Sequence, residues 1–194
     1  MAEVASLYNQ LPTLEDAERR FRDRDQVFSA AKTLLAQYGK LWGLCLIHAH
    51  CKLEKGEIMV ARGNVSQPEP EDEVPEYYPE RWLPSGEAYE FTTRRTITPP
   101  TELIHSMHDI TSQVGVLGLY YIGEDHEQPG KVIERTEGRK NILSPYTDED
   151  EAHTESQTET AWDLSSFNPV TMACNKIIIC DSRTTRAGAV HKSK

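Results

Sequence analysis

The sequence predicts an α+β fold: a mainly antiparallel sheet with an N-terminal helix and a second helix packed on it. Three observations carry that expectation. Apolar residues recur at helical spacing near the N-terminus and again after residue 101. The segments between and after them read as strands bounded by Gly and Pro. The order of elements clusters the strands instead of alternating each one with a helix.

Thr13, followed three residues on by Asp16, opens the first helical stretch. Leu14, Ala17, Phe21, Phe28, Ala31, Leu35 and Tyr38 continue at helical spacing until Gly39, and Asp23 with Gln26 offers a second cap inside the run. "KLWGLCLIHAHC" is apolar on both faces, as a central strand is. "LEKG" then predicts a turn and "EIMVARGNV" a returning strand, which would set His50 opposite Ala61 and His48 opposite Gly63. Residues 87–97 alternate like a strand, and Pro99-Pro100-Thr101 lead into a helix with Leu103, Met107, Ile110 and Val114 as its core stripe. "VGVLGLYYIGED", "GKVIERTEGRKNI", "TAWDLSS" and "TMACNKIIICDS" supply the remaining strands.

The 194 residues suit a single domain, 1–194. Irregular acidic loops are expected at 66–86 and 144–159, and a flexible basic tail at 183–194. The net charge of -10 belongs to those loops: 66–80 and 147–159 each hold six acidic residues and no Lys or Arg. Five prolines mark 66–86, and Tyr77, Tyr78 and Trp82 suggest that its second half docks as a lid. No run approaches the ~18–20 apolar residues of a membrane span. The N-terminus lacks the pattern of a secretory signal, so the expected compartment is cytoplasmic, with Cys45, Cys51, Cys174 and Cys180 as reduced thiols or metal ligands. The weakly basic tail has no interleaved aromatics, which disfavours nucleic acid. Dinucleotide, P-loop, serine-hydrolase, zincin and C-x-x-C motifs are missing.

His48 and His50 are the foremost candidate site. On a strand, alternate side chains share a face, so H-x-H spacing brings two imidazoles within reach of one metal ion. The bland alternative is a core strand capped by half-exposed histidines. His105 and His108 lie off the core stripe of their helix, where a solvated role is expected. Cys174 and Cys180 would lie about 20 Å apart on a continuous strand, too far for one ion, and read best as structural thiols. Pairing of Cys180 with His191, or of Cys174 with the His48/His50 end, stays open. In "ERTEGRKNI", Glu137 could act as a general base and Arg139 could clamp an anion; an exposed edge strand with paired charges is the competing reading.

The strings "IHAHCKLEKGEIMVA", "ERTEGRKNI" and "TAWDL...ACNKIIIC" resemble a set of small, uncharacterised α+β proteins of filamentous fungi. Those carry an H-x-H strand and a T-E-G-R-x-N segment, with Cys51 here replacing an aromatic. The resemblance groups His48, His50, Glu137, Arg139 and Asn141, and it supplies no reaction. The leading expectation is therefore a small-molecule-binding protein or an enzyme whose His48 and His50 bind a divalent metal (Zn, Fe or Mn) or transfer protons. Glu137 and Arg139 would assist. The rival is a non-catalytic interaction module that uses its acidic loops.

Overall fold

The computed structural model describes residues 3–22, 24–123, 130–166, 174 and 176–182. The helices are α1 (Val4–Tyr8), α2 (Leu14–Arg20), α3 (Arg24–Leu35), α4 (Thr101–Thr111) and α5 (Asp148–Glu151). The strands are β1 (Trp42–Leu46), β2 (Glu57–Arg62), β3 (Val65–Pro70), β4 (Tyr78–Trp82), β5 (Ala88–Thr92), β6 (Leu117–Tyr121), β7 (Gly130–Glu137), β8 (Lys140–Pro145), β9 (Gln157–Trp162) and β10 (Lys176–Asp181).

These strands form one closed barrel in the order β1-β6-β4-β5-β2-β3-β8-β7-β10-β9. Closure comes from β9 returning to β1, with Leu44 opposite Trp162 and Cys45 opposite Ala161. Two neighbouring pairs, β2 with β5 and β7 with β10, run parallel, so the barrel is mixed. The predicted α+β arrangement is thereby corrected: the described strands close into a mixed barrel instead of an open, mainly antiparallel sheet with helices packed on it. Both faces of β1 are apolar because one lies under helices and the other faces a lumen.

The helices cover only part of the outside. Phe28, Ala31 and Leu35 of α3 and Leu103 and Met107 of α4 pack with Trp42, Leu44 and Leu46 of β1, Leu117 and Leu119 of β6, and Trp162 of β9. Thr13 caps α2, its hydroxyl accepting from the Asp16 amide at 3.2 Å. Asp23, the expected second cap, lies outside the described residues, as do 124–129, His191 and the tail 183–194. Inside the barrel, Cys45, Tyr120, Ile122, Ala161 and Ile178 form a separate cluster with Val132 and Leu143. Those residues come from six neighbouring strands of the closed sheet, β6, β1, β9, β10, β7 and β8, and share its inner face.

Three other expectations change. Residues 66–86 are not irregular throughout, since β3 and β4 lie within them. Pro68 and Pro70 are tolerated in β3 because β8 pairs with that strand only at Val65 and Ser66, leaving one side without a ladder to interrupt. "GKVIERTEGRKNI" is two strands and not one: Gly138, at φ +64°, turns β7 into β8, with Glu137 opposite Lys140. The predicted β1–β2 hairpin also fails. β1 ends at Leu46, and the backbone beyond it bonds elsewhere: Ala49 N–H donates to the Pro12 carbonyl at 3.0 Å. His50 N–H donates to the Tyr8 hydroxyl at 3.1 Å, and Leu53 N–H to Asn9 Oδ1 at 2.9 Å. The segment 47–53 thus joins α1 to plug one end of the barrel, where Ala5, Tyr8, Ile47, Ala49, Cys51, Leu53, Met59 and Tyr89 form their own cluster.

Candidate metal centre

His48 and His50 do not alternate along a strand, yet their rings meet with centroids 4.5 Å apart. The break after Leu46 explains how. His48 Nδ1–H donates to the Leu46 carbonyl at 2.8 Å; a carbonyl only accepts, so this contact fixes the proton on Nδ1 and makes Nε2 the candidate ligand atom. Tyr8 holds the backbone of His50 in place from the opposite side.

Glu134 of β7 and Cys180 of β10 complete a cluster. The two stand in register on neighbouring parallel strands and so share a face. One ligand atom from each of His48, His50, Glu134 and Cys180 lies within 4.8 Å of every other, and all four side chains are buried. Tetrahedral zinc with N, O and S ligands requires ligand separations of about 3.3–3.9 Å, so metal uptake calls for a contraction of at most about 1.5 Å at the widest pair.

A polar shell surrounds the four. Asn141 Nδ2 lies 3.4 Å from His50 Nε2, while Asn141 Oδ1 accepts from Thr136 Oγ1 at 3.3 Å, which orients the amide with its nitrogen towards the histidine. Glu134 Oε2 and Glu90 Oε1 approach His50 Nε2 at 3.7 and 3.9 Å, and neither oxygen has a hydrogen-bond partner among the described residues. Arg81 Nε bonds Glu90 Oε2 at 3.1 Å, and its Nη2 stands 4.0 Å from Glu134 Oε1. Burial pushes the Glu134 carboxyl above the ordinary carboxylate range, against the pull of Arg81 and Asn141. Burial likewise raises Glu90, to about 7, with Arg81 opposing and Glu134 reinforcing the rise. The Cys180 thiol is pushed well up by burial and by Glu134. Buried acids and a buried thiol that cannot shed their protons cheaply are groups that a divalent cation would stabilise as anions.

Above this floor the lumen opens into a cavity of about 570 Å³ lined by Arg81, Tyr120, Glu134, Leu143 and Ile178, with Glu80, Arg94 and Lys176 among the remaining lining residues. Of the four cluster residues, Glu134 alone lines that cavity.

The other predicted residues fall elsewhere. Glu137 is exposed at the β7–β8 turn. Arg139 reaches away from the lumen: its Nη1 bonds Glu57 Oε1 at 3.0 Å and its Nη2 bonds both Glu57 Oε2 and, at 2.7 Å, the Lys52 carbonyl. It therefore ties the turn to the plug segment and clamps no ligand in the lumen. His105 and His108 are exposed on α4, outside the barrel. Cys174 is half-buried against the outer core.

Sequence reasoning missed Glu134, Glu90 and Arg81, and set Cys180 aside as structural. A weak signal existed for one of them: Glu90 sits between Tyr89 and Phe91 in a strand, where an acid has apolar neighbours on both sides. Compared with known proteins, the chain matches no family model, no curated protein and no solved structure. No helix among the described residues is long and apolar enough to cross a membrane.

Proposed function

We propose that this protein is a metal-dependent small-molecule-binding protein, in which His48, His50, Glu134 and Cys180 hold one divalent ion at the floor of the lumen. The convergence of those four buried groups beneath an open cavity carries the reading. Two imidazoles with a thiolate favour Zn or Fe over Mn, since the sulfur ligand is soft. Glu134 is the ligand that a water or a lumenal oxygen atom would replace, because it faces both the ion and the cavity. His48, His50 and Cys180 would then retain the metal while one position opens, the arrangement that lets an ion polarise a bound oxygen. Glu134, once displaced, would stand beside that oxygen as a proton acceptor.

The interaction-module alternative draws less support. In the second acidic stretch Asp150 is buried, pairs with Arg135 and accepts from the Thr147 amide at 2.9 Å, so part of that charge serves the fold. The deciding measurement is elemental analysis of untagged protein purified without chelator, beside the His48→Ala/His50→Ala variant. About one equivalent of Zn or Fe in the wild type, lost in the variant, is expected. Wild type that holds no metal, and takes up none on reloading, refutes the proposal and returns the acidic segments to the front.

A further inference from the structure

One side-chain contact crosses the lumen, from one of the four candidate ligands to the far wall. Arg81 belongs to β4 and Glu134 to β7, which stand five places apart in a ring of ten strands. The two therefore face each other from opposite walls. Both are buried, and both line the cavity. Arg81 Nη2 lies 4.0 Å from Glu134 Oε1, while Glu134 Oε2 is turned to His50 Nε2 at 3.7 Å. The Glu134 carboxyl thus has the arginine at one oxygen and the histidine of the cluster at the other.

The neighbours of Arg81 leave this reach available. Glu90, its cross-strand partner on β5, holds the near end of the side chain, with Oε2 3.1 Å from Arg81 Nε. A guanidinium presents its donors in a rigid fork, so it can serve a second carboxylate while it serves the first. Glu80 also faces Arg81 and Glu134, but it is matched by Arg94 at 3.7 Å and drawn by Lys176 as well. Tyr89 and Cys45 stand near Arg81 too, and burial pushes both up, so they stay protonated and neutral. Asn141 hydrogen-bonds the Glu134 carboxyl and carries no charge. Among the described residues, Arg81 is the permanent cation that acts on Glu134.

We infer that Arg81 is a positioning residue that receives the Glu134 carboxylate when a ligand atom from the cavity takes its place on the ion. The present separation of 4.0 Å is too long for a hydrogen bond, and a shift of about 1 Å closes it to the usual length of a charge-assisted one. Without the guanidinium, the displaced carboxylate is a buried anion with only a neutral amide beside it, and Glu134 stays on the ion. The inference rests on the metal-centre reading and adds to it what governs the opening of the fourth position.

The test is titration of cobalt(II)-loaded protein with azide, an anion, and with imidazole, at a pH where the latter is neutral, followed by visible absorption. Wild type is compared with Arg81→Gln, Arg81→Lys, Glu134→Gln and the double variants, and cobalt is quantified in every sample. Wild type is expected to admit both probes. Arg81→Gln should bind both about tenfold more weakly while it retains about one equivalent of cobalt. Arg81→Lys, which restores the charge without the fork, should bind them about threefold more weakly. With Glu134 already replaced, loss of Arg81 should no longer change the affinity for imidazole. Weakening of azide alone means that Arg81 touches the probe directly and overturns the inference, as do unaltered affinities or equal losses with and without Glu134. Where Arg81→Gln does not fold, Arg81→Lys decides by the same criteria. Cobalt-loaded wild type that admits neither probe refutes the inference alone. Protein that takes up no cobalt refutes the metal centre, and the inference with it.

Discussion

Glu90 gives the most quantitative handle on the buried network. Its carboxyl titrates at about 7 in the folded protein against an ordinary 4.5, chiefly through burial. At about 1.4 kcal/mol per pH unit, that difference corresponds to about 3 kcal/mol of linked stability. The sign follows from proton counts. Between pH 4.5 and 7 the unfolded chain has released the Glu90 proton and the folded protein still holds it, so raising the pH favours unfolding. The stability is fully present below about pH 4.5 and lost as pH rises through 7. Glu134 and Glu80, also raised by burial, act in the same direction. Glu57, Glu69 and Asp150 are lowered and act only on the acid side, where stability falls as they protonate. Urea denaturation of metal-free protein at pH 5 and pH 7.5 should therefore show a loss towards the higher pH. Glu90→Gln, which keeps the volume and can still accept from Arg81 Nε, should remove about 2 kcal/mol of that loss, the part of the linked stability that falls between pH 5 and pH 7.5. Relative to wild type, the variant should gain stability at pH 7.5. An unchanged pH slope in Glu90→Gln refutes the assignment of a proton to Glu90 in the folded state.

Cobalt(II) loading should give a thiolate-to-metal charge-transfer band in the near ultraviolet that Cys180→Ser abolishes; a band that survives removes Cys180 from the ligand set. Gly43→Ala must displace the Tyr120 ring or press on the Trp162 carbonyl, 2.8 Å from the new Cβ, and should cost about 1–3 kcal/mol in a denaturant titration. Arg139→Ala breaks a half-exposed pair with Glu57, so it should cost no more than about 1 kcal/mol and leave the metal stoichiometry unchanged. His105→Ala/His108→Ala should also leave metal content unchanged, since both residues stand outside the barrel.

Local elements were legible where local physics decides them. Thr13 with Asp16 opens α2, and the stripe of Leu103 and Met107 marks the buried face of α4. Closure was not legible, because the pairing of Leu44 with Trp162 joins segments far apart in sequence and has no local signature. β3 was hidden for another reason. Its prolines argue against a strand unless the reader knows that β8 covers only its first two residues. Gly138 could be read as a bulge or as a turn with equal justice, and only the pairing of Glu137 with Lys140 decides between them.

The candidate site was half legible, and the missing half shares one cause with the missed barrel. An open sheet has a wet face, so polar residues alternating with apolar ones are assigned to water. In a closed barrel those residues can point into the lumen instead. Glu134, between Ile133 and Arg135, reads as a surface charge on an open edge and becomes a buried candidate ligand once β10 pairs with β7 and sets Cys180 beside it. His48 and His50 were found for a reason that does not hold, since the strand that should have aligned them ends at Leu46. What converges them is the plug: Tyr8 on the His50 amide, Pro12 on the Ala49 amide, and the Leu46 carbonyl on His48 Nδ1. The same closure that removes the sheet edges therefore gathers the four candidate ligands. A substitution that weakens the plug, such as Tyr8→Phe, should lower metal affinity before it lowers the cooperativity of unfolding. Metal titration and denaturation of the same sample separate those effects, and an unaltered affinity would mean that β7 and β10 alone hold the cluster together.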